Sequence, residues 1–248
     1  MPAFPMVAGT LVAGRFQIER AAGHGGMSTV YRALDLQTGH PVALKLLRHA
    51  LNSETVRTNT RMVVEAQVLA DLRHEGIVAY VAHGFTLNGL PFLAMEWLDG
   101  EDLNERLERQ PMTTAETLTL LSSVAEALSL AHSKGVLHRD LKPSNLFLRQ
   151  RQIDRVVLLD FGVARQLDGP HSITATGMLI GTPDYMAPEQ ARGERALTAS
   201  VDIFSLGCVV YRCLVGSPPF GGAHISAMMA KLLSNDEPPL AELRPGSP

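Results

Sequence analysis

His138-Arg139-Asp140-Leu141-Lys142-Pro143-Ser144-Asn145 sets a carboxylate, an ammonium and a carboxamide within six positions, just after a helical pattern that stops at Lys134-Gly135. So many distinct polar groups in so short a run suit a rigid loop better than a solvated helix face. Phosphoryl transfer needs a residue that orients the attacking hydroxyl, a cation on the moving phosphoryl group and a ligand for a metal ion. Asp140, Lys142 and Asn145 offer one of each. Fifteen residues on, Asp160-Phe161-Gly162 closes the apolar run 156–159. A carboxylate at such a strand end can present a second metal ligand opposite Asn145. His138 reads as a packed, hydrogen-bonded histidine that supports the loop rather than as a base.

Upstream, Gly23-His24-Gly25-Gly26-Met27-Ser28-Thr29-Val30 lies between strand-like runs at 16–22 and 29–35. Without side chains, glycine N–H groups can approach phosphate oxygens closely. Alone, the run also suits a glycine-rich hairpin, and Ser28 stands where the usual G-x-G-x-x-G pattern has its third glycine. Val42-Ala43-Leu44-Lys45 sets a lysine in an apolar strand (41–47), where burying an ammonium is costly unless an anion meets it. Glu65, on a helical pattern at 61–72, is the candidate partner; an edge-strand lysine reaching solvent is the other reading. Strand-like runs at 77–86 and 90–98 flank the hairpin signal Leu87-Asn88-Gly89. The first hundred residues therefore predict a small antiparallel sheet with one helix. Beyond Asp99-Gly100 the pattern turns helical, with a capping box at Thr113 and Glu116 and one apolar stripe of Leu121, Val124, Leu128 and Ala131. Lobe junctions are preferred ligand sites, and this one falls at 96–100.

Bulk properties narrow the class. A net charge of −3 with no long basic run argues against a nucleic-acid footprint. Cys208 and Cys213 lie five apart in a helical pattern and point in different directions, which disfavours a disulfide or metal site and is compatible with a reducing cytoplasm. No apolar stretch approaches the roughly 20 residues of a membrane span, Arg212 interrupting the best candidate. Residues 1–13 lack the basic start of a signal peptide. The expectation is a soluble, cytoplasmic chain without internal repeats.

Two further segments complete a pattern: Gly181-Thr182-Pro183-Asp184-Tyr185-Met186-Ala187-Pro188-Glu189 and Asp202-Ile203-Phe204-Ser205-Leu206-Gly207. With those above, they resemble the eukaryotic-like (Hanks-type) serine/threonine protein kinases, particularly the bacterial branch, from about Phe16 onward. The resemblance implies an α+β, two-lobed fold: an N-terminal extension at 1–15, a sheet-based N-lobe at 16–96, a hinge at 97–100 and a mainly helical C-lobe at 101–248. It implies ATP with Mg²⁺, or Mn²⁺ in its place, and transfer of the γ-phosphoryl group to Ser/Thr hydroxyls of protein substrates.

By the same resemblance Gly23, Gly25, Gly26 and Ser28 cover the phosphates, Val30 and Ala43 roof the adenine, and Met95 is the gatekeeper. Glu96 and Leu98 offer hinge backbone, and Phe147 floors the pocket where Leu or Met is more usual. Lys45, fixed by Glu65, holds the α/β-phosphates; Asn145 and Asp160 hold the metal; Asp140 orients the hydroxyl and accepts its proton, with Lys142 and Thr182 beside it. Asp202 holds the catalytic-loop backbone, although an aspartate before an apolar helix also suits an N-cap.

Control is expected through autophosphorylation of Thr174 or Thr176 between paired copies, with Arg139 receiving the phosphate. The C-lobe reads as truncated, because the family's last helices would begin near 240–248 and the arginine that pairs with Glu189 would follow them. A nucleotide-binding scaffold without transfer and a small-molecule phosphotransferase are the competing classes. The presence of Lys45, Glu65, Asp140, Asn145 and Asp160 together speaks against the first, and the Ala-Pro-Glu segment against the second.

Overall fold

The strand Ser28–Asp35 alternates buried Thr29, Tyr31, Ala33 and Asp35 with half-exposed Ser28, Val30, Arg32 and Leu34, the period of two that a sheet packed on one face requires. The computed structural model describes residues 6–24, 28–47, 66–161, 183–194, 196–221, 228 and 231–232. The chain divides into two compact units, one of Met1–His74 with Val78–Asp99, the other of Glu75–Ile77 with Gly100–Pro248.

The first unit is built on a six-stranded antiparallel sheet: β1 (Leu11–Val12), β2 (Phe16–His24), β3 (Ser28–Asp35), β4 (Pro41–Leu47), β5 (Tyr80–Phe85) and β6 (Pro91–Glu96), in the order β1-β2-β3-β4-β6-β5. Phe16, Ile18, Tyr31, Ala33, Val42, Leu44, Leu46, Phe92 and Ala94 form its core, with Phe16 and Phe92 edge-on at 5.7 Å. Residues 66–71 are helical.

The β3–β4 turn is fastened by a buried carboxylate. Asp35 accepts both Nε and Nη2 of Arg15, at 2.8 and 2.7 Å, and also Gln37 N and Thr38 Oγ1. The Arg15 guanidinium, helped by the two turn donors and opposed by desolvation, holds the Asp35 carboxyl at about 2. A depressed carboxylate stabilises the fold above its unfolded pKa near 4, and the contribution is lost as pH falls through the folded value. The melting-temperature advantage of wild type over Asp35→Asn is therefore expected to shrink as pH is lowered from about 6 towards 2.5. Thermal melts of both proteins across that range check it, and a constant gap would contradict the linkage.

The second unit opens with a three-stranded antiparallel sheet of β7 (Gly100–Asp102), β8 (Leu146–Arg149) and β9 (Val156–Leu158). Gly100 has φ 152°, and a Cβ there would sit 2.0 Å from Leu148 O, so only glycine lets β7 pair so tightly with β8. Helix α1 (Leu103–Arg109) starts where Asp102 Oδ1 accepts Glu105 N at 2.9 Å. Helix α2 (Thr114–Ser133) carries the expected capping box, with Thr113 Oγ1 accepting Glu116 N and Glu116 Oε2 accepting Thr113 N. It ends at Lys134 ahead of Gly135, whose φ is 73°. Helix α3 (Ser200–Val215) packs against α2 and closes on Gly216. Cys208 and Cys213 are both buried and free, and burial pushes each thiol up to about 12.

Three expectations need correction. The strand expected at 77–86 begins only at Tyr80: Ile77 instead makes an isolated parallel bridge to Leu158, and Leu158 N donates to Gly76 O, which places 75–77 in the second unit. The buried stripe of α2 runs through Thr117, Leu120, Val124, Ala127, Leu128 and Ala131. Leu121 lies one position off its centre and is only half-buried. The short strand β7 falls where the helical pattern was expected to begin. Of the helix expected at 61–72, residues 61–65 lie outside the described residues. No helix among the described residues is long and apolar enough to cross a membrane.

Candidate active site

Cross-strand partners share a face of a sheet, so register sorts the nucleotide candidates of the first unit. Val30 pairs with Lys45, and Ala43 with Met95. Because Val30, Ala43 and Lys45 alternate with core residues on β3 and β4, these four side chains occupy the face opposite the core. Gly23 pairs with Val30 at the end of β2, and Ser28 opens β3. Gly25 and Gly26, like Glu65, lie outside the described residues. Glu96, at the end of β6, accepts Ala79 N at Oε1 (3.0 Å) while its own N–H donates to Ala79 O (2.9 Å). Its carboxylate and its N–H are thus both engaged within the unit. Leu98 follows two residues later.

The second unit assembles the polar cluster around one fully buried carboxylate. Asp202, in the first turn of α3, accepts His138 N at 2.8 Å, Arg139 N at 2.7 Å and His132 Nε2 at 2.7 Å. The N-cap position of α3 belongs to Ala199, so Asp202 fastens the loop instead of capping its helix. Arg139 takes φ 63°, a left-handed conformation costly for a residue with a Cβ, and the two bonds to Asp202 hold it there.

The turn aims Asp140, whose Oδ2 accepts Lys142 Nζ at 2.9 Å and Asn145 Nδ2 at 3.2 Å, while Asn145 Nδ2 also donates to Asp140 O at 2.7 Å. A carboxylate fixed by an ammonium and an amide is oriented to receive a proton from a bound hydroxyl. His138 is fully buried, its Nε2 on Leu159 O at 2.9 Å and its ring 4.8 Å from Phe161. Desolvation pushes its pKa down against the pull of Asp202, which suits a neutral structural imidazole.

Leu146 pairs with Leu158 across β8 and β9, and Leu159 N continues the ladder to Asn145 O at 2.9 Å. That pairing brings Asn145 beside the segment that ends in Asp160, another left-handed residue at φ 46°. Asn145 spends its amide nitrogen on Asp140, which leaves Oδ1 as the atom it presents to a cation. One carboxylate and one carboxamide oxygen are a hard donor set that fits Mg²⁺, an ion that keeps several waters and takes its other ligands from substrate phosphates. Phe147, next on β8 and paired with Asp102, is half-buried. A small cavity lined by Asp140, Lys142, Tyr185 and Met186, among others, opens at the loop.

The protein kinase domain family matches residues 16–240. The chain belongs to this family. It is a protein kinase domain of the bacterial Hanks (serine/threonine) type. Among curated relatives, serine/threonine-protein kinase pkn3 of Myxococcus xanthus is 37% identical over 244 residues, covering 96% of this chain and 44% of the relative. PknB of Mycobacterium tuberculosis is 36% identical over 233 residues, covering 92% and 37%. The chain thus spans less than half the length of these relatives. Among solved structures, the kinase domain of M. tuberculosis PknI superposes with a TM-score of 0.75 at 27% identity, covering 97% of this chain and 85% of that one. Residues 1–466 of Rad53, solved in complex with AMP-PNP, superpose with a TM-score of 0.75 at 27% identity, covering 94% and 57%.

The kinase loop has supports that sequence reasoning missed. His132 reads as one of several scattered histidines, yet it is the third donor to Asp202. Gln190 bridges the Ala-Pro-Glu turn to the loop, accepting Ala187 N at Oε1 and donating through Nε2 to Arg139 O at 2.9 Å. Arg212, which in sequence only interrupts an apolar run, donates to Tyr185 Oη at 2.7 Å and Asn104 Oδ1 at 2.8 Å. Ser205 Oγ donates to Tyr185 O at 2.7 Å. Glu189, for which an arginine was expected, accepts Ser200 Oγ at 3.1 Å. Thr174, Thr176 and Thr182 lie outside the described residues.

Proposed function

We propose that this domain transfers the γ-phosphoryl group of ATP directly to a serine or threonine hydroxyl of a protein, with Asp140 orienting the hydroxyl and taking its proton. The observation that carries the reading is the Asp140–Lys142–Asn145 cluster hung from buried Asp202. As the acceptor oxygen bonds to the γ-phosphorus, the bond to the β–γ bridging oxygen breaks, ADP leaves, and the hydroxyl proton passes to the Asp140 carboxylate. Lys142, already at hydrogen-bond distance from Asp140, supplies positive charge to the moving phosphoryl oxygens.

Asn145 and Asp160 would hold Mg²⁺, or Mn²⁺ in its place, which neutralises phosphate charge when bound. Lys45, fixed by Glu65, orients the α/β-phosphates. Gly23, Gly25, Gly26 and Ser28 cover them, Val30, Ala43, Met95 and Phe147 enclose the adenine, and the backbone of Glu96 and Leu98 meets its edge. The domain assignment is an extension at 1–15, N-lobe at 16–96, hinge at 97–100 and C-lobe from 101, in a cytoplasmic kinase domain. Phosphate on Thr174 or Thr176, placed there by a second copy, would pair with Arg139. Burial disfavours the charge of Arg139, so an anion beside that guanidinium is worth more than on an open surface.

Incubating the protein with Mg²⁺, γ-labelled ATP and a generic protein acceptor, followed by acid hydrolysis, tests the reading. Label on phosphoserine and phosphothreonine is expected. Label confined to phosphotyrosine, or to a small-molecule acceptor such as an aminoglycoside supplied in parallel, would overturn it.

A further inference from the structure

Directly beside the candidate nucleotide face lies a charged aromatic cluster that the roles above do not use. Arg20 on β2 and Arg32 on β3 are cross-strand partners. Two guanidinium groups placed opposite one another repel, and such a pair persists only where other groups offset it. Here both lie 5.4 Å from the centroid of the same indole ring, that of Trp97, and Arg32 also pairs with the Glu19 carboxylate. Trp97 is fixed in turn, because its Nε1 donates to Asp99 Oδ1 at 2.9 Å. All of these residues belong to the first unit.

The cluster adjoins the strands assigned above to the adenine roof. Arg32 is two residues from Val30 on the same face of β3 and pairs with Ala43, whose other neighbour is Met95. Trp97 sits between Glu96 and Leu98. We propose that Arg20, Arg32 and Trp97 are positioning residues for the nucleotide: they tie the strands that carry the adenine roof to the segment that carries the edge-binding backbone. This inference rests on the kinase reading above. The clamp touches no reacting atom, so it acts on nucleotide affinity and leaves the transfer step alone.

Steady-state kinetics in ATP and calorimetric binding of Mg²⁺-AMP-PNP test it on wild type, Trp97→Ala, Trp97→Phe and the double variant Arg20→Gln/Arg32→Gln. Trp97→Ala and the double variant are expected to raise the KM for ATP and weaken AMP-PNP about tenfold, the scale of two lost cation–π contacts, with kcat within about twofold. Trp97→Phe keeps a π face but not the Asp99 hydrogen bond, and is expected to restore most of the affinity. Trp97 is the only tryptophan in the chain, so its emission reports the clamp: in the double variant it is expected to shift to the red as the indole gains water.

An unchanged KM in the double variant, an unshifted emission, or a fall in kcat and melting temperature without a change in KM would overturn the proposal. If Trp97→Ala fails to fold, the surface arginine variant decides alone. Failure of wild type to bind AMP-PNP would overturn the clamp together with the kinase reading, whereas normal wild-type binding with unaffected variants overturns the clamp only.

Discussion

Asp202→Ala is expected to cost the second unit both its stability and its activity. The lost carboxylate is fully buried and satisfies two backbone N–H groups and the His132 imidazole at once. Each buried donor left without a partner costs about 1–3 kcal/mol, so the sum reaches a large share of a total stability of roughly 5–15 kcal/mol. The same two backbone bonds hold Arg139 at φ 63°, and without them the loop relaxes and Asp140 loses its aim. Turnover is expected to fall by at least about a hundredfold even in the fraction that stays folded, because a misplacement of about 1 Å at a reacting group has that effect. Asp202→Asn keeps one acceptor oxygen but turns an N–H₂ towards a donor, so it is expected to fall between alanine and wild type. Thermal melting and turnover measured together check the order. An alanine variant with wild-type melting and rate would show that Asp202 is not what holds the loop.

Legibility followed the range of the interactions. The loop residues Asp140, Lys142 and Asn145 could be read because their chemistry is contiguous, and the structure finds them bonded to one another. The sheet was legible in outline because β3 and β4 obey a clean period of two. What was lost depended on partners distant in sequence. In the last turn of an amphipathic helix, His132 cannot be told from a histidine that complements the helix dipole until α3 brings Asp202 to it. Gln190 looks like any surface residue until its amide is seen to join the turn at Ala187 to the loop at Arg139. The pairing of Arg20 with Arg32 follows from a register that includes an irregularity between Ile18 and Arg20, which hydrophobic pattern alone does not locate. Ile77 sits in an apolar run that reads as the start of a strand, and only the second sheet reveals its bridge to Leu158.

Asp140→Asn bears most directly on the chemistry, because it changes the charge and proton affinity of one group while keeping its shape. The amide oxygen can still accept from Lys142 and Asn145, the two donors that now bond Oδ2, so the loop geometry has reason to survive. What disappears is a carboxylate able to take the hydroxyl proton, a role worth about 10²–10⁴-fold in rate. The measurement is single-turnover transfer of the γ-phosphoryl group to a serine-containing peptide at saturating Mg²⁺-ATP, with AMP-PNP affinity measured on the same preparation. The predicted result is transfer slowed by at least about a hundredfold with nucleotide affinity within about threefold of wild type. Transfer by Asp140→Asn at more than about a tenth of the wild-type rate, with the nucleotide bound normally, would contradict the assignment of Asp140 as the residue that accepts the proton.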